Sequence, residues 1–466
     1  MNDYIDFIAR KRPAVAPSGF EPGAFTAPLF PFQSRNVAWA CRMGRCALFL
    51  DTGLGKTVQQ LEWAHQVAVH TSGRVLILAP LAVAQQTVRE AVKFGIPGVV
   101  YVREPSEVTA AARIVVTNYE RLAKFGPADF SGVVLDESSI LKNYSGSVKQ
   151  ALCKAFERTP YKLACTATPA PNDHVELGNH SEFLGVMPSH DMLTRWFKND
   201  TAHANVLRLK AHAVEDFWDW VASWAVMASL PSDLGSFNDA GYLLPEMSLD
   251  RHIVSVSEAD LTPNSEKGTL FDLGTLNATG MQRERRRSSD VRAAKVAELV
   301  RAEPGESWIV WCETDNEADA LMLQLEGLDA REIRGPDSPA VKEAALVDFT
   351  TGKLRILVTK PKIAGYGLNW QHCARVAFIG ATFSFESYYQ AIRRVWRFGQ
   401  LRKVRCHVVM ASTEKHVWSV LERKRVEHER MKREMFAAAM RRRGTVARPG
   451  DYRPTKAIQL PEWMSQ

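Results

Sequence analysis

A chain of 466 residues with 46% apolar and 24% charged side chains is too long for one ordinary domain. It is also too evenly mixed to be disordered or fibrous, so two to four globular domains are expected. Its 59 Lys and Arg against 52 Asp and Glu leave a charge of +7, which favours a polyanion such as nucleic acid but is also common on ordinary surfaces. The opening MNDYIDFIARKRPAV lacks the apolar core of a signal peptide, and no run reaches the ~18 apolar residues of a membrane span, so the expected location is the cytoplasm.

In chain order, the first strong signal is LFLDTGLGKTVQQLEWA, residues 48 to 64. Ala47 to Leu50 reads as a buried strand of parallel-sheet kind, because a short apolar run stops at turn residues. Gly53 and Gly55 allow positive φ and let successive N–H groups face an anion, while Lys56 and Thr57 open a helix whose positive dipole end points the same way. This is a phosphate cradle. In its nucleotide-binding form the lysine reaches the β- and γ-phosphates and the threonine hydroxyl ligates Mg2+. The pattern G-x-x-x-x-G-K-[ST] is met at Gly55, Lys56 and Thr57, with Leu50 where the first glycine stands. A strand-to-helix turn that holds nothing is the alternative.

Further apolar runs, each followed by a polar loop and most by helical periodicity, predict parallel α/β sheets. CALFL, RVLILAP, RIVVTNY, GVVLDES and YKLACTATP form one set; SWIVWCET, LRILVTK, RVAFIGA and KVRCHVVMAS form another. Between them, residues ~172 to 245 read as helices and a connector, and clustered Gly, Asn, Asp and Pro place a boundary near Gly241 to Pro245. Phe217, Trp218, Trp220 and Trp224 have the spacing of a helix burying one side; a stacking platform for bases is the alternative. Seven cysteines carry no C-x-x-C pair, and Cys165 and Cys312 sit in apolar runs as reduced core residues would.

Ligands in open α/β sheets lie at the carboxyl ends of strands. There VVLDES places Asp136 and Glu137, one able to hold Mg2+ and the other to orient or deprotonate a water; solvated acids at a strand end are the plain alternative. CTATPAPND sets Thr166 and Thr168 on a proline-bounded loop, to sense a phosphate, brace the acids or merely cap a turn. VTKPKIAGYGLNW ends a strand at Thr359 and Lys360 and offers Gly365 and Gly367 for close backbone approach, a combination suited to a phosphodiester or to nothing beyond a flexible loop. YYQAIRRVWRFGQ spaces Gln390, Arg394 and Arg397 on one predicted helical face, suited to a γ-phosphate or to solvent.

The order GLGKT, AP-loop, TNYE, DES, TATP, then TK, GYGLN and QxxxRxxRxGQ resembles helicase superfamily 2, and within it the Swi/Snf-type DNA translocases, over roughly residues 28 to 425. The resemblance implies two RecA-like lobes with ATP and Mg2+ in the cleft between them, on an α/β fold of two parallel sheets with a helical insertion and a basic C-terminal tail. The implied domains are 1–240 with an insertion at about 173–240, 241–425, and 426–466. Gln33 in LFPFQSRNVAW corresponds to an adenine-reading glutamine. The implied nucleotide contacts are Gln33, Thr52, Gly53, Leu54, Gly55, Lys56, Thr57 and Gln390, with Thr57 and Asp136 on the metal and Glu137, Lys56, Arg394 and Arg397 catalytic. Pro80, Thr117, Asn118, Thr359, Lys360, Gly365 and Asn369 would meet nucleic acid, and Thr166 and Thr168 would couple the two sites. Leu50 and Ser138 depart from common family residues without removing a required group.

The resemblance thus implies a nearly bare DNA motor, as in compact phage or bacterial members, which in the viral case would work in a host's cytoplasm. A strand-separating helicase on DNA or RNA and a non-hydrolysing ATP-dependent clamp remain alternatives. The closing run ERKRVEHERMKREMFAAAMRRRG is expected to be a solvated helix or a grip on DNA phosphates.

Overall fold

The computed structural model describes residues 15–142, 146–200, 207–255, 285–364, 369–380, 382 and 384–444. All nine expected runs form strands, and they separate into two wholly parallel sheets as their pattern predicts. The first sheet has the order β3-β4-β2-β5-β6-β1-β9: Val99–Tyr101, Ile114–Asn118, Val75–Ala79, Gly132–Asp136, Tyr161–Cys165, Arg45–Leu50 and Ala225–Ala228. The second has the order β10-β15-β14-β11-β13-β12: Met247–Val254, Val404–Ala411, Arg375–Ile379, Trp308–Trp311, Ile356–Thr359 and Ala330–Ile333. A small antiparallel pair, β7 Phe197–Asn199 and β8 Leu207–Leu209, stands apart from both.

The nine expected strands are buried on both faces, which is why they read as continuous rather than alternating runs, whereas the edge strands β3, β10 and β12 are partly exposed. Cysteines follow the same rule: all seven are free thiols, and Cys165 and Cys312 are buried.

The region between the sheets departs from the expectation of helices and a connector. The helix Val214–Trp224 forms and buries Phe217, Trp218, Trp220 and Trp224 to 4% exposure or less, so these rings are core and not a platform for bases. Directly after it, Ala225–Ala228 becomes β9 and pairs in parallel with β1, Leu50 opposite Ala228. Helical periodicity continues across this short segment, so only its pairing with β1 distinguishes it. The chain then passes to the second sheet between β9 and β10.

The C-terminal run departs further. Lys415–Gly444 is one unbroken helix that passes through the expected boundary at 425. Its start joins the second lobe through Trp418 and Leu421, and its later turns place Met431, Met435 and Ala438 in the core of the first. Arg441 completes the docking, donating to Asp219 at 2.7 Å. The basic residues Arg423, Arg425, Arg430 and Arg433 occupy the outer face. The density of charge along the run masks its apolar stripe of Met431, Met435 and Ala438.

Candidate nucleotide site and lobe interface

Parallel register brings the carboxyl ends of β1, β5 and β6 side by side, with Leu48 and Asp136 both opposite Cys165. The cradle follows β1 directly. Gly53 at φ 98° and Gly55 at φ 75° take the left-handed backbone that the turn demands. Neither has room for a side chain: a Cβ on Gly53 would lie 2.8 Å from Phe398 Cβ, and one on Gly55 would strike Gln33 Nε2. Lys56 and Thr57 begin the helix Lys56–Thr71, whose N-terminus faces the turn. The Lys56 ammonium rests on the Leu50 carbonyl at 2.8 Å, and Leu54 is buried. Leu50 itself is fully buried, so the departure from the common pattern serves the core.

Gln33 lies beside this turn. It accepts the Phe30 N–H at 3.0 Å and donates to the Leu54 carbonyl at 3.1 Å, which ties it to the cradle backbone.

The acidic pair is buried at the end of β5. Burial pushes Asp136 up from the usual carboxylate range, and Lys56 offsets that only in part. Glu137 has φ 59°, a left-handed conformation costly for a non-glycine residue and of the kind held at functional sites. Burial, with Asp136 and Glu386 adding to it against Lys56 and Thr166, pushes its carboxyl up to about 7. Thr166 donates to Glu137 at 3.1 Å and accepts the Thr168 N–H at 3.1 Å, so the TATP loop braces the acid. The Thr168 and Thr52 hydroxyls are buried without a hydrogen-bond partner. Ser138 meets His180 Nε2 at 3.1 Å in the core.

The arginine segment is not one helical face. The helix Phe385–Ile392 carries Gln390 and ends before Arg394 and Arg397, which lie in consecutive turns. Arg394 is 6% exposed, Gln390 is 1% exposed with its Nε2 unpartnered, and burial draws Arg397 down to about 10. Gly399, with φ 89°, and Gln400 close the segment, Gln400 donating to the Cys373 carbonyl at 2.8 Å.

Residues that local pattern did not single out join the lobes. Arg393 donates to Asp51 at 2.7 Å, Tyr389 donates to the same carboxylate, and Glu386 accepts Lys142 at 2.6 Å together with the Ser139 hydroxyl. Their signal was adjacency: Asp51 precedes the cradle, and Arg393 precedes Arg394.

Of the expected nucleic-acid residues, Pro80, Thr117, Asn118, Thr359 and Lys360 fall at the ends of β2, β4 and β13. Pro80 caps the helix Leu81–Lys93. Thr117 and Thr359 are buried, their hydroxyls donating to Val102 and Ile333, while Asn118 has a buried Oδ1 without a partner. Lys360 pairs with Asp315 at 2.7 Å and Asn369 is exposed. Gly365 and Gly367 lie outside the described residues.

An SNF2-related domain matches residues 32–218, and a helicase conserved C-terminal domain matches residues 292–399. The chain is a Swi/Snf-type member of helicase superfamily 2. Members of this SNF2 family are ATP hydrolases. The SWI/SNF-related matrix-associated actin-dependent regulator of chromatin subfamily A-like protein 1 of Xenopus tropicalis is 24% identical over 444 residues, covering 85% of this Swi/Snf-type chain and 44% of its own length. The DNA excision repair protein CSB of Oryza sativa subsp. japonica is 21% identical over 471 residues, with 82% and 39% covered. The chain therefore spans less than half the length of these relatives. A solved Sulfolobus solfataricus SWI2/SNF2 ATPase core in complex with dsDNA is 17% identical, with 90% of this chain and 95% of that chain covered at a TM-score of 0.43. Among the described residues no helix is long and apolar enough to cross a membrane.

Proposed function

We propose that this chain hydrolyses ATP between its lobes and converts opening and closing of that cleft into movement along DNA, duplex favoured. One observation carries the reading: the phosphate cradle of the first lobe and the arginine turns of the second meet, with Arg393 on Asp51 and Phe398 against Gly53. The donor set fits ATP with Mg2+, since Asp136 is a buried carboxylate short of compensating positive charge and the cradle glycines exclude side chains. Mg2+ held through Thr57 and Asp136 would neutralise charge on the β- and γ-phosphates.

Lys56 is placed to exchange the Leu50 carbonyl for phosphate oxygens. Glu137, oriented by Thr166, takes the proton of the attacking water. Arg394 and Arg397 offset transition-state charge, Gln33 and Gln390 position the nucleotide, and Thr52, Gly53, Leu54 and Gly55 shape the turn around it. A DNA backbone lying across both sheets would meet Pro80, Lys360 and Asn369, while the buried Thr117, Asn118 and Thr359 would act beneath that surface by holding the strand ends in shape. Thr166 and Thr168 would couple the two sites through the hydrogen bond of Thr166 to Glu137. A non-hydrolysing clamp has no need of Glu137 or the arginines.

The test is ATP turnover without nucleic acid and with single-stranded DNA, duplex DNA or RNA, paired with displacement of a third strand from a triplex. Greatest stimulation by duplex DNA and ATP-dependent third-strand release are expected. Absence of stimulation by any nucleic acid overturns the reading.

A further inference from the structure

Asp51 stands one residue ahead of the cradle turn and is 4% exposed. Its Oδ1 accepts the Thr52 N–H at 2.8 Å and the Tyr389 hydroxyl; its Oδ2 accepts Arg393 at 2.7 Å and Lys432 at 3.2 Å. Burial pushes this carboxyl up, but Arg393, Lys432 and the Tyr389 hydroxyl outweigh it and hold the group well below the usual range. A buried ion cluster persists only when its geometry is nearly complete, and loss of one member leaves an uncompensated charge.

The cluster draws on three parts of the chain. Asp51 belongs to the first lobe, Tyr389 and Arg393 to the second, and Lys432 to the C-terminal helix that is seated in both cores. The Arg393 guanidinium is fixed further, stacking over Tyr389 at 5.1 Å and Trp396 at 4.6 Å. Arg394 follows it in the chain, and its carbonyl is held by the Trp370 N–H at 2.9 Å. A guanidinium pinned to Asp51 therefore sets where the next turn lies over the cradle. Glu429, 3.6 Å from Lys432 and half exposed, draws on that lysine from the solvent side.

We propose that Asp51, Arg393 and Lys432 form a clasp that sets the register of the arginine turn over the phosphate cradle, making Lys432 of the C-terminal helix a positioning residue for ATP hydrolysis. This rests on the hydrolase reading. It assigns the helix a part in turnover that burial of Met431 and Met435 alone does not require.

The experiment compares Lys432→Met, Lys432→Arg, Asp51→Asn and the Lys432→Met/Asp51→Asn pair in the full chain, measuring duplex-stimulated kcat, KM for ATP and thermal midpoints. Lys432→Met is expected to lower kcat about tenfold or more with KM changed less than about threefold, since a misplaced finger loses chiefly transition-state interactions. Lys432→Arg should restore most of kcat. In the Asp51→Asn background Lys432→Met should cost little more, because partners in one network are not additive. Unchanged kcat, or losses that multiply, overturns the proposal. Should the parental chain be inert toward ATP with every nucleic acid, the hydrolase reading and the positioning role both fall. The melting midpoints then judge the contact alone: coupled shifts preserve the clasp as a structural tie, and independent shifts remove that too.

Discussion

Glu386 of the second lobe accepts the Lys142 ammonium of the first at 2.6 Å and the Ser139 hydroxyl beside it. A carboxylate of one lobe is thereby seated beside the acidic strand end of the other. Burial is the larger cause of the raised Glu137 pKa, and Glu386 adds to it.

A pH dependence follows with a definite sign. Glu137 must be ionised to take a proton, and its carboxyl is pushed up to about 7, so kcat/KM should rise with pH and level off above that value. Glu386→Gln removes one negative neighbour of Glu137 and should move the limb to lower pH. Thr166→Val removes a hydrogen bond that favours the ionised form and should move it higher. A limb that stays in place in both variants would detach it from Glu137.

Glu137→Gln keeps the side-chain shape and loses its basicity. Hydrolysis should fall by roughly 10²-fold or more while ATP and DNA binding persist, as expected when a positioned base is removed. Single-turnover hydrolysis beside equilibrium binding of a fluorescent ATP analogue reads both. Parental turnover would place water activation elsewhere.

Lys56→Ala removes the ammonium that rests on the Leu50 carbonyl and should abolish ATP binding and turnover together. The fold should survive, because Lys56 is only partly buried and contributes to no apolar cluster. Isothermal titration with ATP and circular dichroism check the two halves, and normal binding would sink the cradle assignment.

Arg397→Ala should lower kcat by roughly 10³-fold with a smaller change in ATP affinity, the pattern of a group acting on transition-state charge. Arg394→Ala should follow with a milder loss. Equal losses in affinity and kcat would make these arginines structural.

The C-terminal helix gives a stability contrast. Met435, 2% exposed in the first-lobe core, should cost about 2–4 kcal/mol when changed to Ala, since a buried Met leaves a cavity. Exposed Arg433→Ala should stay within about 0.5 kcal/mol. Urea unfolding measures both. A neutral Met435→Ala would mean that the helix does not dock.

What the sequence alone determined was local: strand ends, the glycine turn before Lys56, the acids after β5, and the two sheets. These depend on apolar continuity, backbone freedom and residue chemistry within a few positions, all of which are written in the chain. Motif order also sufficed to identify the family. Tertiary structure decided whatever depends on partners far apart in sequence. The segment Ala225–Ala228 carries helical periodicity and becomes β9 because β1 offers an open edge. Arg394 and Arg397 leave the helical face that their spacing predicts because the helix ends at Ile392. The basic C-terminal run reads as solvated until its stripe of Met431, Met435 and Ala438 finds the first-lobe core. Lys432 lies 381 positions from Asp51, and no local pattern relates them; only the folded chain brings that ammonium within 3.2 Å of that carboxylate.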